Sequence, residues 1–398
     1  MRKLDRAAEL RSARIATFAF FILNGFLLGM WVVHIPVIQE RTAIDTSVLG
    51  WLLLALGVGA FTGMQVGGRV VDRFSSSQVV TTAAVLLSLA TVGPGLATSA
   101  MTLALALVVF GFCNGLIDVS MNTHAVEVER EYARPIMGAF HAYFSLGGLF
   151  AAIVGGSLIG VGADLRVTLA LAGVLGIVVS LACRRGVFGA HLVTPPDEPA
   201  TTTAPHRGWT GRVLGLALLA FALMLAEGVA NDWSTVHLHD SLGTSEAAAA
   251  WAYGGFSAAM TIGRLLTDRI VARVGSPAFV RGGALVAAVG LGVVALATNA
   301  PVALVGWTVF GIGLSGCVPQ FFSAAGNVDR DASGTNLARV AGFGYVGLLA
   351  GPAVIGMTTR WTTLPQAFWL PVAGCVISAV FAARLLEPAG GSADRATH

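Results

Sequence analysis

The segment IATFAFFILNGFLLGMWVVHIP, residues 15–36, contains no Asp, Glu, Lys or Arg. Roughly 20 apolar helical residues cross a hydrocarbon core about 30 Å thick, so the segment predicts a transmembrane helix. Similar runs recur along the chain. We number the predicted spans 1 to 12 and place them at residues 15–36, 47–68, 79–98, 102–124, 136–159, 165–183, 213–235, 247–267, 278–298, 302–324, 337–357 and 365–386. The sequence predicts an all-α integral membrane protein with twelve transmembrane helices in a lipid bilayer.

Composition and motifs exclude several other classes. Charged residues make up 11% of the chain, whereas soluble domains contain about 25%. The net charge of +3 is too small to indicate binding to nucleic acid. The four cysteines lie in predicted spans without a CxxC spacing, so neither a disulfide framework nor a zinc site is indicated. Without a Walker motif, nucleophile elbow or HExxH motif, the sequence predicts no enzyme and no cofactor.

Basic residues predict the orientation of the spans. With the N-terminus placed inside, 21 of the 24 Lys and Arg residues fall on the inner side. Only Arg41, Arg166 and Arg360 fall outside. This split follows the positive-inside rule, so both termini are predicted to be cytoplasmic, in a membrane like the bacterial inner membrane.

Two halves of similar sequence flank a polar linker. Residues 186–212 include a Pro- and Thr-rich stretch that cannot bury a core. At an offset of 200 residues, Trp51 matches Trp251 and Val109-Phe110-Gly111 matches Val309-Phe310-Gly311. We predict pseudo-symmetric six-helix bundles at residues 1–185 and 213–398. Parallel repeats of this kind bind substrate between the halves.

The ends of spans 2 and 8 carry a common motif, in which a glycine precedes Asp72-Arg73 and Asp268-Arg269. It resembles the signature loop of the major facilitator superfamily, in which Gly, Asp and a basic residue follow helix two. The resemblance, through the twelve-span layout, covers essentially the whole chain and implies alternating access. It implies an inner gate; the alternative is that these charges only orient the spans. The gating candidates are Gly68, Asp72, Arg73, Arg130, Arg134, Gly263, Asp268, Arg269 and Arg330.

Span 4 carries a polar stripe. Asn114, Asp118 and Asn122 recur every four residues and so share one helical face. Intramembrane carboxylates usually face a cavity and mark an ion path, so Asp118 is a candidate proton carrier. His141 in span 5 is predicted at a similar depth. It is a candidate relay partner, or a histidine that only hydrogen-bonds a backbone carbonyl.

Residues 116–122 are similar to the helix-four segment of the fucose-type proton symporters, where an acid precedes an Asn by four positions. That likeness implies proton and sugar handling by Asp118 and Asn122. The second acid expected on helix one is absent from residues 24–34. The whole pattern resembles more closely a poorly characterised bacterial branch, with Trp31 in span 1 and Asp232 in span 7.

Span 7 contains two acids, Glu227 near its middle and Asp232 further out. Packing alone does not explain them, so both are candidate proton-coupling residues. The alternative for Asp232 is an outer salt bridge with Arg41 or His34. The substrate-binding candidates are Asn24, Trp31, His34, Asn114, Asn122, Asn231, Gln320 and Asn336.

These features predict a monomeric secondary transporter that moves a small polar or sugar-like solute, with the proton as coupling ion. One alternative is a proton-coupled exporter of amphiphilic compounds, because the rest of the predicted cavity is apolar. Another is a membrane sensor that retains a transporter fold without transport.

Overall fold

The computed structural model describes residues 2–132, 136–187, 209–328 and 333–386. The side chains of residues 2–7, 72, 130 and 333–335 lie outside this description. Spans 1 to 6 are the helices Arg2–Thr42, Thr46–Arg73, Ser76–Ala90 with Val92–Leu96, Ala100–Tyr132, Met137–Gly160 and Leu165–Cys183. Spans 7 to 12 are Gly211–Val236 with the π-helical turn His237–Ser241, Glu246–Val274, Ser276–Leu296, Ala300–Leu314 with Cys317–Gly326, Ser333–Thr358, and Leu364–Ala367 with Trp369–Leu386.

Eleven helices in the described residues are long and apolar enough to cross a membrane. The remaining predicted span, span 8, is the 29-residue helix Glu246–Val274 and is not among the eleven. Its second half carries four charged residues. It nevertheless packs against spans 5, 7 and 10 inside the helical assembly. The fold is therefore the predicted twelve-helix membrane architecture, with one span that is more polar than the others.

Several helices are longer than the apolar runs that predicted them. Span 1 was predicted at 15–36 and extends over Arg2–Thr42, and span 4 was predicted at 102–124 and extends over Ala100–Tyr132. A hydropathy window marks only the part that suits hydrocarbon, whereas helical hydrogen bonding continues into polar residues until a cap or turn. Span 10 instead breaks at Gly316, whose φ of 79° lies in the left-handed region that favours glycine.

Within the predicted halves, spans 2 and 4, spans 1 and 5, and spans 7 and 11 pack closely. Lipid tails supply no hydrophobic drive for helix association, so close approach of small residues matters. Spans 2 and 4 meet at Gly63 and Gly115. A Cβ at Gly63 would collide with the Phe112 carbonyl oxygen, and one at Gly115 with that of Ala60. Backbone cannot move aside as a flexible side chain can, so glycine permits this packing.

The halves contact each other along spans 5 and 8 and at one end of the molecule. We call this end the predicted outer end and define it by the loops 43–45, 97–99, 161–164, 242–245, 297–299 and 359–363. There Thr235 Oγ1 donates to the Val32 carbonyl oxygen at 3.1 Å. His239 Nε2 lies 3.2 Å from Glu40 Oε1. At the opposite end, the Cβ positions of Gly138 and Gly342 have no other described atom within 4 Å beyond their local backbone. Both positions are thus open at the predicted inner end.

Trp233 forms a hydrogen bond between span 7 and span 11. Its Nε1 donates to the Pro352 carbonyl oxygen at 3.0 Å, and its side chain is fully buried. We expect Trp233→Phe to lower the free energy of unfolding by about 1 kcal/mol, because the buried carbonyl loses its donor. Thermal unfolding of the purified protein measures the change. Trp251→Phe is the control, since Trp251 is half exposed. Equal losses in both variants would contradict the role of this hydrogen bond.

Candidate functional site

An ion pair lies between spans 7 and 8. Arg264 Nη2 donates to Glu227 Oε1 at 2.8 Å. The two side chains are 17% and 19% exposed, respectively. Glu227 was predicted to be a proton-coupling residue from its depth in span 7. In the structure, Arg264 provides the positive charge that balances its carboxylate. A charge-assisted bond in such a setting is stronger than a neutral one.

Arg264 also reaches the N-terminal half. Its Nη1 donates to Ser145 Oγ at 2.6 Å and to the His141 carbonyl oxygen at 3.3 Å, both in span 5. One guanidinium therefore joins a carboxylate of its own half to the backbone and side chain of the other half. Any movement of span 8 away from span 5 must break these contacts.

The stripe on span 4 is held by local hydrogen bonds. Asn122 Nδ2 donates to the Asp118 carbonyl oxygen at 2.8 Å and to Asp118 Oδ1 at 3.3 Å. Asp118 makes no ion pair in the part of the chain that the structure describes. Asn114 is half-buried, and its Oδ1 is buried without a hydrogen-bond partner in that same part.

Two tyrosines of the C-terminal half lie close to the acids. Tyr345 of span 11 lies within electrostatic range of Asp118, Glu227 and Arg264. Tyr253 of span 8 is buried and lies within range of Asp232, Glu227 and Arg264. Its hydroxyl also faces Gly148 of span 5. We call Asp118, Glu227, Asp232, Tyr253, Arg264 and Tyr345 the central polar cluster.

The outer part of span 1 borders this cluster. Trp31 is buried and its indole lies close enough to Asp232 to interact with it. The indole Nε1 nevertheless lies outside normal hydrogen-bond geometry, since it makes no hydrogen bond in the described residues. His34 Nδ1 bonds to the Met30 carbonyl oxygen at 2.7 Å. In the described residues Asp232 makes no salt bridge with Arg41 or His34.

The other candidates lie at different depths. His141 packs edge-on against Phe21 and makes no hydrogen bond with Asp118 in the described residues. Asn231 is half-buried and Asn336 is buried. Gln320 Oε1 accepts a hydrogen bond from Ser276 at 2.7 Å, near the predicted inner end. Tyr345 thus lies in range of Asp118 and Glu227, and Tyr253 in range of Glu227 and Asp232, whereas Gln320 makes no hydrogen bond with these acids in the described residues.

The gating candidates are only partly visible. The side chains of Asp72 and Arg130, and all of Arg134 and Arg330, lie outside the described residues. Arg73, Asp268 and Arg269 are exposed at the predicted inner end. Gly263 packs against Ser315 of span 10. The inner gate stays a prediction.

The place of Arg264 in the site was not predicted from the sequence. Arg264 was counted only among the inner positive charges, although it lies inside predicted span 8 at 247–267. A charge within a span needs a partner or water, and that depth was the available signal. Ser145, Tyr253 and Tyr345 were also missed. Hydroxyl side chains are too common in membrane helices for sequence alone to single them out.

Comparison with known proteins identifies the class that this fold and site define, that of membrane transporters. The sequence profile of the Major Facilitator Superfamily matches residues 15–328 and 216–397, and the chain belongs to this superfamily. An uncharacterised transporter of this type from Yersinia pestis is 33% identical over 92% of each chain. An uncharacterised transporter from Sinorhizobium fredii is 34% identical over 88% of this chain and 92% of its own.

Among solved structures, a D-xylose–proton symporter superposes with a TM-score of 0.74. It is 16% identical and covers 93% of this chain and 96% of its own. At that identity the likeness concerns the fold. The chain is thus a multi-pass membrane transporter of the predicted architecture.

Proposed function

We propose that this protein is a proton-coupled transporter that moves a small polar solute by alternating access across a bacterial inner membrane. The observation that carries this proposal is the Glu227–Arg264 ion pair with its contacts to span 5. A charged pair at the interface of two moving halves links protonation to conformation. Glu227 is therefore the leading coupling residue.

Protonation of Glu227 would remove the negative charge that Arg264 faces. The pair is partly buried, so the loss of one partner leaves a partly buried charge uncompensated, which is unfavourable. Arg264 would then retain only the Ser145 hydroxyl and the His141 carbonyl, or would seek another anion. The proton and the position of span 8 relative to span 5 are coupled through this arginine.

Asp118 is the second coupling residue in this proposal. It lies across from Tyr345 of the other half and has no cationic partner in the described residues. It can take up a proton or receive a hydrogen-bond donor of the solute. The amides of Asn114 and Asn122 on the same face suit a solute with several polar groups.

We further propose that the transporter works as a monomer with both termini in the cytoplasm. The central polar cluster is assembled from the two halves of one chain. The positive-inside distribution of the basic residues supports this orientation.

The test is reconstitution into liposomes that contain a pH-sensitive dye. We expect solute-dependent pH changes for wild type and at least a tenfold slower change for Asp118→Asn, because the amide cannot exchange a proton at this position. Asp164→Asn is the control, since Asp164 is exposed in an outer loop.

The panel contains neutral sugars, amino sugars, amino acids and lipophilic cations. Solute uptake without any pH change, in wild type and variant alike, would contradict proton coupling. Movement of lipophilic cations alone would identify an exporter of amphiphilic compounds. Binding without movement of any solute would favour a sensor.

A further inference from the structure

The central polar cluster has more acceptors than donors. Asp118 and Asp232 have no basic partner among the described residues, and Arg264, the cluster's cation, is bonded to Glu227, Ser145 and the His141 carbonyl. Two carboxylates therefore face the interface without a compensating positive charge. An anionic solute would meet repulsion from both.

Amide oxygens extend this excess of acceptors. Asn24 is 1% exposed, its Nδ2 donates to Met121 Sδ at 3.7 Å, and its Oδ1 has no hydrogen-bond partner in the described part of the chain. Met121 lies one turn from Asp118 on span 4. The Oδ1 of Asn114, one turn from Asp118 in the other direction, is likewise buried without a partner there. A buried acceptor without a donor destabilises the protein.

A solute that supplies donors would satisfy these oxygens. A protonated amine has three donors, no acceptor and the charge that a carboxylate needs. Its bond to an ionised carboxylate is about twice as strong as a neutral hydrogen bond. Hydroxyl groups on the same molecule can donate to the Asn24 and Asn114 oxygens.

We infer that the solute is a small hydrophilic molecule that carries a protonated amine. Asp118 on span 4 receives the ammonium group, and the amide oxygens of Asn24 and Asn114 receive its neutral donors. This assignment deepens the proposed function and rests on it. It gives the solute a positive charge, which the fold by itself does not specify.

The test is equilibrium binding to purified protein in lipid nanodiscs with matched pairs of probes. The pairs are glucosamine and glucose, galactosamine and galactose, and ethanolamine and ethylene glycol, with glucuronate as an acidic probe. We expect at least one amine to bind about tenfold or more tightly than its neutral partner, a difference of about 1.4 kcal/mol. Preference for the neutral or acidic probe, or failure of every amine to bind at millimolar concentration, would overturn the inference.

Asp118→Asn locates the amine within the site. We expect the preference for the amine to fall about tenfold in this variant, while the affinity for the neutral partner changes little. Retention of the full preference would overturn the assignment to Asp118. Unfolding curves recorded without solute establish whether the Asp118→Asn variant folds. If it does not fold, the comparison of amine and neutral probes on the wild-type protein still tests the charge of the solute.

Transport measurements separate this inference from the proposed function. Proton-linked uptake of glucose but not of glucosamine would leave the transporter proposal intact and refute the charge of the solute. Tight binding of an amine without uptake or proton movement would support the charge of the solute and refute proton-coupled transport.

Discussion

Arg264→Gln is expected to abolish solute-dependent proton movement and to lower the free energy of unfolding by about 3 kcal/mol. The substitution leaves Glu227 with a mostly buried and unpaired charge, and removal of one partner of a buried ion pair is typically this costly. It also removes a charged donor from Ser145 and from the His141 carbonyl. Thermal unfolding and the pH-dye assay in liposomes measure the two effects.

The double variant Glu227→Gln with Arg264→Gln shows whether loss of the ion pair causes the drop in stability. With both charges gone, we expect most of the lost stability to return but proton movement to stay absent, since neither amide can carry a proton. Arg273→Gln is the control, because Arg273 is exposed near the end of the same helix. If the losses of stability in the single variants Glu227→Gln and Arg264→Gln simply add in the double variant, the two side chains do not act as a pair.

The twelve-span fold could be predicted because lipid imposes one requirement on every span. Residues 15–36 or 365–386 must be apolar over a fixed length, and this pattern is visible in single runs. Helix ends were less predictable. Span 4 continues past 124 to Tyr132, because helical hydrogen bonds do not stop where hydrophobic residues do. The break at Gly316 depends on a left-handed backbone conformation that the letters around it do not specify.

Within the candidate site, only the acidic residues could be predicted from the sequence. Asp118 and Glu227 attract attention because a carboxylate inside a span is costly wherever it lies. Their partners depend on how helices rotate and cross, which periodicity within one helix does not contain. Arg264 therefore looked like an inner anchor, although it reaches Ser145 of the other half. The relation of Tyr345 to Asp118 likewise needs the two halves in place.

Gly356→Ala is expected to open the contact between the halves at the predicted outer end and to slow transport about tenfold or more. Gly356 of span 11 meets Gly50 of span 2 at the predicted outer end. The Cβ position of Gly50 lies 2.6 Å from Gly356 Cα, and a Cβ at Gly356 would collide with Gly50 Cα. Backbone on both sides leaves no flexible side chain to give way, so the two spans must separate. Overpacking of this kind costs about 1–3 kcal/mol, and each 1.4 kcal/mol changes a population ratio tenfold.

The distance between the halves reports this shift directly. Spin labels at Ala43 and Thr362, both exposed in outer loops of opposite halves, should show a longer distance in Gly356→Ala than in wild type, in a background without the four native cysteines. Gly342→Ala is the matched control, because Gly342 lies on the same span with no other described atom within 4 Å beyond its local backbone. Equal distances and equal transport in wild type and both variants would show that this glycine contact does not hold the outer end closed. Opening in Gly356→Ala alone would show that backbone contact between spans 2 and 11 holds the predicted outer end closed.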